Sequence, residues 1–331
     1  MSDAETVVRR AADLVEERYA FPAEAGAIAA AVRGRLSAGE FAESTIDRAF
    51  ARRLTALFRD LSGDKHMGFA FFDDPQPMRD EEDFVFHEIT DEDRLEGRCR
   101  NCGFHAVTRL AGNIGYIDLR EFVPAEVGGP TADAAMGLVA DTEALIIDLR
   151  RNDGGRQDMV AHIAGYLFDE PVQLSSRHNH ITGETTHHRT SREVAGRRSG
   201  GKPLYVLTSR DTFSAGEAFA YDLKHLGRAI LVGETTAGGA NPTKIYTLTP
   251  HVWMAIPYGW ITNPITGTNW EGVGVSPDVE IDAERALDEA HRLALLGIRD
   301  TLDRDWPRPL LDEYVSEVEQ ALCTLDGLAE D

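Results

Sequence analysis

Ser214, His66 and Glu271 are the residues of this chain whose types suit covalent catalysis. A serine hydroxyl is a weak nucleophile until a base removes its proton, and histidine is the usual base near neutral pH. A carboxylate that holds the imidazole completes such a set. Ser214 falls where a predicted strand at 204–208 leads, through 209–213, into a predicted helix. The N-terminus of a helix offers unbonded N–H groups and the positive end of a dipole. The N–H of Ala215 would therefore face an oxyanion forming at Ser214. Ser214-Ala-Gly-Glu217 is equally a capping-box sequence, so the serine could serve only to cap its helix. Gly154 and Gly155 follow an apolar run, where a glycine turn either brings a backbone N–H close to a ligand or simply enters a helix. His66 lies in a polar turn. Glu271 could orient it, or it could be a surface carboxylate.

Other chemistry-bearing residues carry less. Cys99 and Cys102 have the spacing of half a zinc site, with His87 and His105 nearby, but Cys323 stands alone and no second pair exists. No metal and no organic cofactor is expected. His178, His180, His187 and His188 cluster in a polar stretch that reads as a solvated loop. Trp253, Tyr258, Trp260 and Trp270 crowd the region before Glu271. They read either as core or, for Tyr258, Trp260 and Trp270, as the wall of an apolar substrate pocket.

The elements that must position these residues are alternating. The first 62 residues read as a helical bundle, clearest where Phe50, Leu54, Leu57, Phe58 and Leu61 make one stripe behind a Ser44/Asp47 capping-box pattern. A strand is expected at 67–72, and an acidic loop or irregular strand pair at 73–93. Strands at 113–119, 144–149, 204–208 and 229–232 alternate with helices at 131–140, 157–168 and from 214. A loop or exposed hairpin is expected at 175–200, a hairpin at 245–262 and closing helices at 283–325. This order is α/β. Two domains are expected, a helical bundle at 1–62 and an α/β catalytic core with C-terminal helices at 63–331.

Composition bounds the function. Net charge is −22 over 331 residues. Nucleic acid and anionic membranes are not expected partners of so acidic a chain, and basic or neutral peptides are favoured at long range. No apolar run is long enough to span a membrane, and the N-terminus lacks the basic and apolar regions of a signal peptide. With three cysteines, a cytoplasmic location is expected. The oligomeric state is left open.

Five segments, in order, resemble one family. TSRDTFSAGEAFAYDLKHLGRAILVGETTAGGANP (208–242) resembles the active-serine region of the tail-specific, or C-terminal processing, serine peptidases. The nearer branch includes the interphotoreceptor retinoid-binding protein modules and the tricorn core protease. GDKHMGFAF (63–71), GNIGYIDLREF (112–122), LIIDLRRNDGG (145–155) and NPITGTNWEGVGVSPDVEI (263–281) are similar to its Asp-x-His turn, first core strand, oxyanion strand and closing motif. The resemblance implies a ββα-type core related to the ClpP and crotonase group. It implies Ser214 as nucleophile, His66 as general base and Glu271 as its orienter. It implies an oxyanion hole from Ala215 with Gly154 or Gly155, and a peptide or protein substrate. Many members use a lysine in place of the histidine, where this chain has Gly239, and Lys224 lies nearly three helical turns from Ser214. The tricorn-like arrangement has a serine before its histidine, where this chain has Lys65. Glu271 must then reach His66 directly or through another group. Only about forty residues separate Phe71 from Gly112, too few for the PDZ domain of many relatives. Two other activities suit the same scaffold: a carrier of lipophilic ligands, and acyl transfer or ester hydrolysis in a biosynthetic pathway.

Overall fold

The computed structural model describes residues 2–76, 78, 82–83, 89–302 and 306–329. The chain opens with helices α1 (Asp3–Arg18), α2 (Pro22–Ser37) and α3 (Arg48–Ser62). Strands β1 (Gly68–Phe71) and β2 (Glu82–Asp83), helix α4 (Asp91–Cys99), and strands β3 (Phe104–Leu110) and β4 (Ile114–Leu119) follow. Next come α5 (Ala125–Leu138), β5 (Ala144–Asp148), α6 (Gln157–Tyr166), β6 (Gln173–Asn179), β7 (Thr185–Arg189) and β8 (Leu204–Thr208). Helix α7 (Ala215–His225) precedes β9 (Ile230–Gly233), β10 (Thr243–Thr249), β11 (Val252–Pro257), β12 (Gly259–Thr262) and β13 (Val279–Glu280). Helices α8 (Ala286–Arg299) and α9 (Arg308–Ala329) close the chain.

These elements form two compact units. The first gathers Met1–Glu88, Ser175–His187 and Gly238–Gly272; the second gathers Ile89–Leu174, His188–Ala237 and Val273–Asp331. The helices expected over 1–62 are thus grouped with β1, β10, β11 and β12.

In the first unit the sheet order is β1-β11-β10-β2, antiparallel where β1 meets β11 and β11 meets β10. The helices cover it because their apolar faces have nowhere else to go. Phe50, Leu54, Leu57 and Phe58 of α3 pack with Val8 and Val15 of α1 and with Met254 and Ile256 of β11. Burying each such side chain contributes about 1.5–3 kcal/mol. Helix α3 starts three residues later than the Ser44 pattern suggests. Asp47 is itself the cap, its carboxylate accepting the Phe50 N–H at 2.8 Å. It ends at Gly63, whose φ of 71° lets its N–H return to the Arg59 carbonyl at 2.8 Å. That stop throws the next residues, Asp64 to Met67, into a turn rather than another helical step.

In the second unit the sheet order is β13-β9-β8-β5-β4-β3, parallel from β13 to β4 and antiparallel at β3. Strands β4, β5 and β8 are buried along their whole length. This explains their near-continuous apolar sequence. Helix α8 covers one face through Ala290, Ala294 and Leu295.

Two expectations change. The acidic segment at 73–93, read as a loop or an irregular strand pair, contains the short strand β2 and ends in the first turn of α4. Helix α4 is made of charged exposed residues and is started by a Thr90/Asp93 capping box. His87 lies outside the described residues. The hairpin expected at 245–262 is β10 with β11. Its last part, β12, turns away to pair with β6.

Candidate active site

His66 is held by its turn. The Arg59 Nε donates to the Met67 carbonyl at 2.8 Å, Met67 is fully buried, and the Asp64 N–H bonds the Ser62 hydroxyl at 3.1 Å. The backbone N–H of His66 donates to the Asp64 carboxylate at 2.9 Å. Glu271 arrives from a loop that hangs on residues 238–241. The Trp270 indole donates to the Gly239 carbonyl at 2.9 Å, and Gly272 donates to the Gly238 carbonyl at 3.0 Å. One Glu271 oxygen accepts the N–H groups of Ala240, at 2.5 Å, and Asn241, at 3.0 Å. The result is convergence. Ligating atoms of Asp64, His66 and Glu271 all lie within 4.8 Å of one another, the only such gathering of His, Cys, Asp and Glu atoms among the described residues.

Burial dominates the electrostatics of this cluster. It pushes the His66 imidazole down to about 4, with the Arg59 charge adding to the effect. It pushes the Glu271 carboxyl up to about 7, helped by the charge of Asp64 and opposed by the N–H groups of Ala240, Asn241 and Lys65. Asp64 is raised by burial too, against donors from Asn241, His66 and Tyr19. The Lys65 side chain is exposed, so this residue serves the cluster through its backbone. Glu271 and His66 thus lie near one another with Lys65, not a serine, at the intervening position.

Ser214 belongs to the second unit, at the N-cap of α7. Its backbone sits at φ 54°, ψ −116°, outside the extended region of ordinary caps. A non-glycine residue held there stores about 1–3 kcal/mol of strain, a recurrent feature of nucleophile turns. The strain is held from below. The Ser214 N–H donates to Glu217 at 2.9 Å, the other Glu217 oxygen accepts the Thr236 hydroxyl at 2.6 Å, and Glu217 is fully buried. The capping box is thus present, and it fixes the serine in a pose that a cap alone would not need.

The glycine turn after β5 runs beside Ser214. A Cβ on Gly154 would lie 2.8 Å from the Ser214 Cβ and 3.3 Å from the Ala215 nitrogen. Its N–H is already bonded to the Asn152 side-chain oxygen at 3.0 Å. Asn152 is fully buried, and its amide donates to the Leu119 carbonyl at 2.9 Å. The N–H groups of Gly155 and Ala215, by contrast, have no acceptor among the described residues. Sequence reasoning left Gly154 and Gly155 as alternatives. Asn152, Asn241, Asp64 and the anchoring role of Glu217 it did not find.

The described residues match two family models, that of the N-terminal domain of peptidase S41 in eukaryotic IRBP over residues 2–97 and that of peptidase family S41 over residues 113–281. The chain belongs to peptidase family S41. This S41 chain is 26% identical over 218 residues to a carboxyl-terminal-processing protease of Picosynechococcus sp., covering 63% of this chain and 48% of the relative. It spans less than half the length of the curated relatives it matches first. Its fold is similar to that of the photosystem II D1 C-terminal processing protease, at TM-score 0.51 and 15% identity over 86% of this chain and 94% of the other. It is also similar to the tricorn protease, at TM-score 0.55 and 13% identity over 96% of this chain and 37% of the other.

Lys224 donates to the Ser276 carbonyl at 2.7 Å and pairs with Asp278 at 3.0 Å, at the far end of α7 from Ser214. Tyr258 and Trp270 are fully buried and pack in the interior, while Trp260 is half-buried and stacks on His178 with centroids 5.3 Å apart. His178 and His187 each bond a hydroxyl, of Thr185 at 2.9 Å and Ser176 at 2.8 Å. Cys99 and Cys323 are exposed and Cys102 is buried.

Proposed function

We propose that this chain is a serine peptidase of the C-terminal processing kind, cleaving peptide bonds through an acyl-enzyme on Ser214. The observation that carries this is the strained serine at the start of α7, beside the Gly154–Gly155 turn, where the N–H groups of Ala215 and Gly155 have no acceptor among the described residues. In this reading Ser214 Oγ attacks the scissile carbonyl and His66 takes its proton. The N–H groups of Ala215 and Gly155 receive the oxyanion; the bond already made by the Gly154 N–H to Asn152 supports Gly155 for this part. Gly154 instead braces the turn against Ser214. The tetrahedral intermediate collapses as His66 returns the proton to the departing amine. Water then repeats the sequence on the ester. Ionised Glu271 stabilises the imidazolium in both halves. Of the aromatic residues expected to line the substrate, Trp260 keeps exposed surface for that role.

We assign residues 1–62 to an N-terminal helical domain and 63–331 to the catalytic core. The parallel sheet with its nucleophile at a helix N-terminus supports relating that core to the ClpP and crotonase group. The test is incubation of a mixed peptide library with wild type and with Ser214→Ala, read by mass spectrometry. Cleavage by wild type alone supports the reading, and the cut sites define the pocket. A library left intact by both, together with saturable quenching of tryptophan fluorescence by lipophilic compounds, supports the carrier instead. Products joined to an amine rather than to water indicate acyl transfer.

The pH profile follows from the two shifts. His66 is neutral above about 4, so it does not limit the rate near neutrality. Glu271 must lose its proton to support the imidazolium, and it does so near 7. kcat/KM is therefore expected to rise with pH through about 7. Glu271→Gln is expected to abolish that limb and to lower the plateau. A wild-type acid limb that survives in Glu271→Gln would assign it to another group.

A further inference from the structure

One buried residue ties together both carboxylates that flank His66. The Asn241 backbone N–H donates to Glu271 at 3.0 Å, and its side-chain amide donates to Asp64 at 2.9 Å. Asn241 is 2% exposed, and its own side-chain oxygen has no partner among the described residues. An unsatisfied buried amide costs about 1–3 kcal/mol. A residue whose only task was to fill space would be better as an apolar one, so the amide is kept for what it holds. Asp64 is bound from three directions, by Asn241, by the His66 N–H and by the Tyr19 hydroxyl at 3.4 Å.

We infer that Asn241 and Asp64 are positioning residues of this site, and that Asp64 and Glu271, joined through Asn241, form one proton-binding pair beside His66. Two carboxylates so close cannot ionise independently, and their protons belong to the pair. The charged and titratable groups facing the pair within this unit are Arg59 of α3, Tyr19 at the α1–α2 corner, itself acted on by Glu24, and His66. Arg59 favours the ionised pair. Tyr19 keeps its proton, because burial and Asp64 both raise it. The inference rests on the peptidase reading only for its consequence in catalysis.

The two variants have opposite expected signs. Asp64→Asn removes a like charge from beside Glu271, so Glu271 ionises more easily and its midpoint falls by about one pH unit. Asn241→Ala keeps the backbone donor to Glu271 but takes a donor from Asp64. The pair then binds its first proton more tightly, and the midpoint rises by about half a unit. The midpoint is read in the intact chain from the His66 Cε1–H resonance, assigned against His66→Ala, as an inflection near 7. The acid limb of kcat/KM is expected to move with it. A merely structural role would lower kcat and leave the inflection in place. An inflection that stays put in the variants, or moves the same way in both, overturns the proposal. Should Asp64→Asn not fold, a rise in Asn241→Ala supports it and no rise overturns it. Because the resonance needs no turnover, a chain with the coupling but no Ser214-dependent cleavage would sink the peptidase reading and leave the pair standing.

Discussion

Ser214→Ala and His66→Ala are each expected to lower kcat/KM by about 10⁴-fold or more, and the double variant to fall no further than the worse single one. The reason is that a nucleophile and its base act as one unit. Once the serine is gone there is no proton for His66 to take, and once His66 is gone the hydroxyl is not activated. Independent contributions would multiply instead, and multiplied losses in the double variant would break the proposed partnership. Stability separates chemistry from folding in the same series. Alanine at 214 inherits the strained φ of 54° and loses only the capping hydroxyl, so its stability should fall by no more than about 1 kcal/mol. Ser214→Gly relieves the strain and is expected to gain about 1 kcal/mol while being equally inactive. A glycine variant less stable than wild type would show that the serine's hydroxyl, and not its backbone pose, is what the fold values there.

The residues proposed to react were legible because their types are distinctive and their neighbours in sequence are local. A serine entering a helix, a glycine pair leaving a buried strand and a histidine after a helix stop each carry a short pattern. The long parallel strands β4, β5 and β8 were legible for the same reason, since burial on both faces leaves an unbroken apolar run. Helix α4 was not, because acidic exposed residues lack apolar periodicity. Its Thr90/Asp93 capping box was present in the sequence, and reading it would have found the helix start.

The supporting residues were hidden for a different reason. Asn241 meets Asp64 across 177 positions of chain, and Glu217 reaches Thr236 across 19. No spacing rule links such pairs; only the folded loops do. Asp64 was seen in its Asp-x-His turn yet given no task, because an acid two residues before a histidine is as much a turn former as a functional group. The choice between Gly154 and Gly155 was likewise not local. It depends on Asn152, whose buried side chain takes the Gly154 N–H, while that of Gly155 has no acceptor among the described residues.

That division makes the two glycines separable by experiment. Gly154→Ala is expected to lower kcat by about 10²-fold or more, with a smaller loss of stability. Its new methyl would stand 2.8 Å from the Ser214 Cβ, so the backbone of Ser214 must shift and the nucleophile is misplaced, and its own φ of 110° adds strain as well. Gly155→Ala is expected to damage folding first. Its methyl would lie 2.4 Å from the Phe122 carbonyl oxygen, and Phe122 forms a backbone bridge with Gly155 itself. Backbone on both sides of the clash cannot yield cheaply, and a φ of 123° adds about 1–3 kcal/mol of strain for any residue with a Cβ. Melting temperatures and single-turnover rates, taken on both variants, decide the matter. Equal stability losses with equal rate losses would mean that the turn acts as a single rigid piece, and the separate tasks assigned to its two glycines would fall.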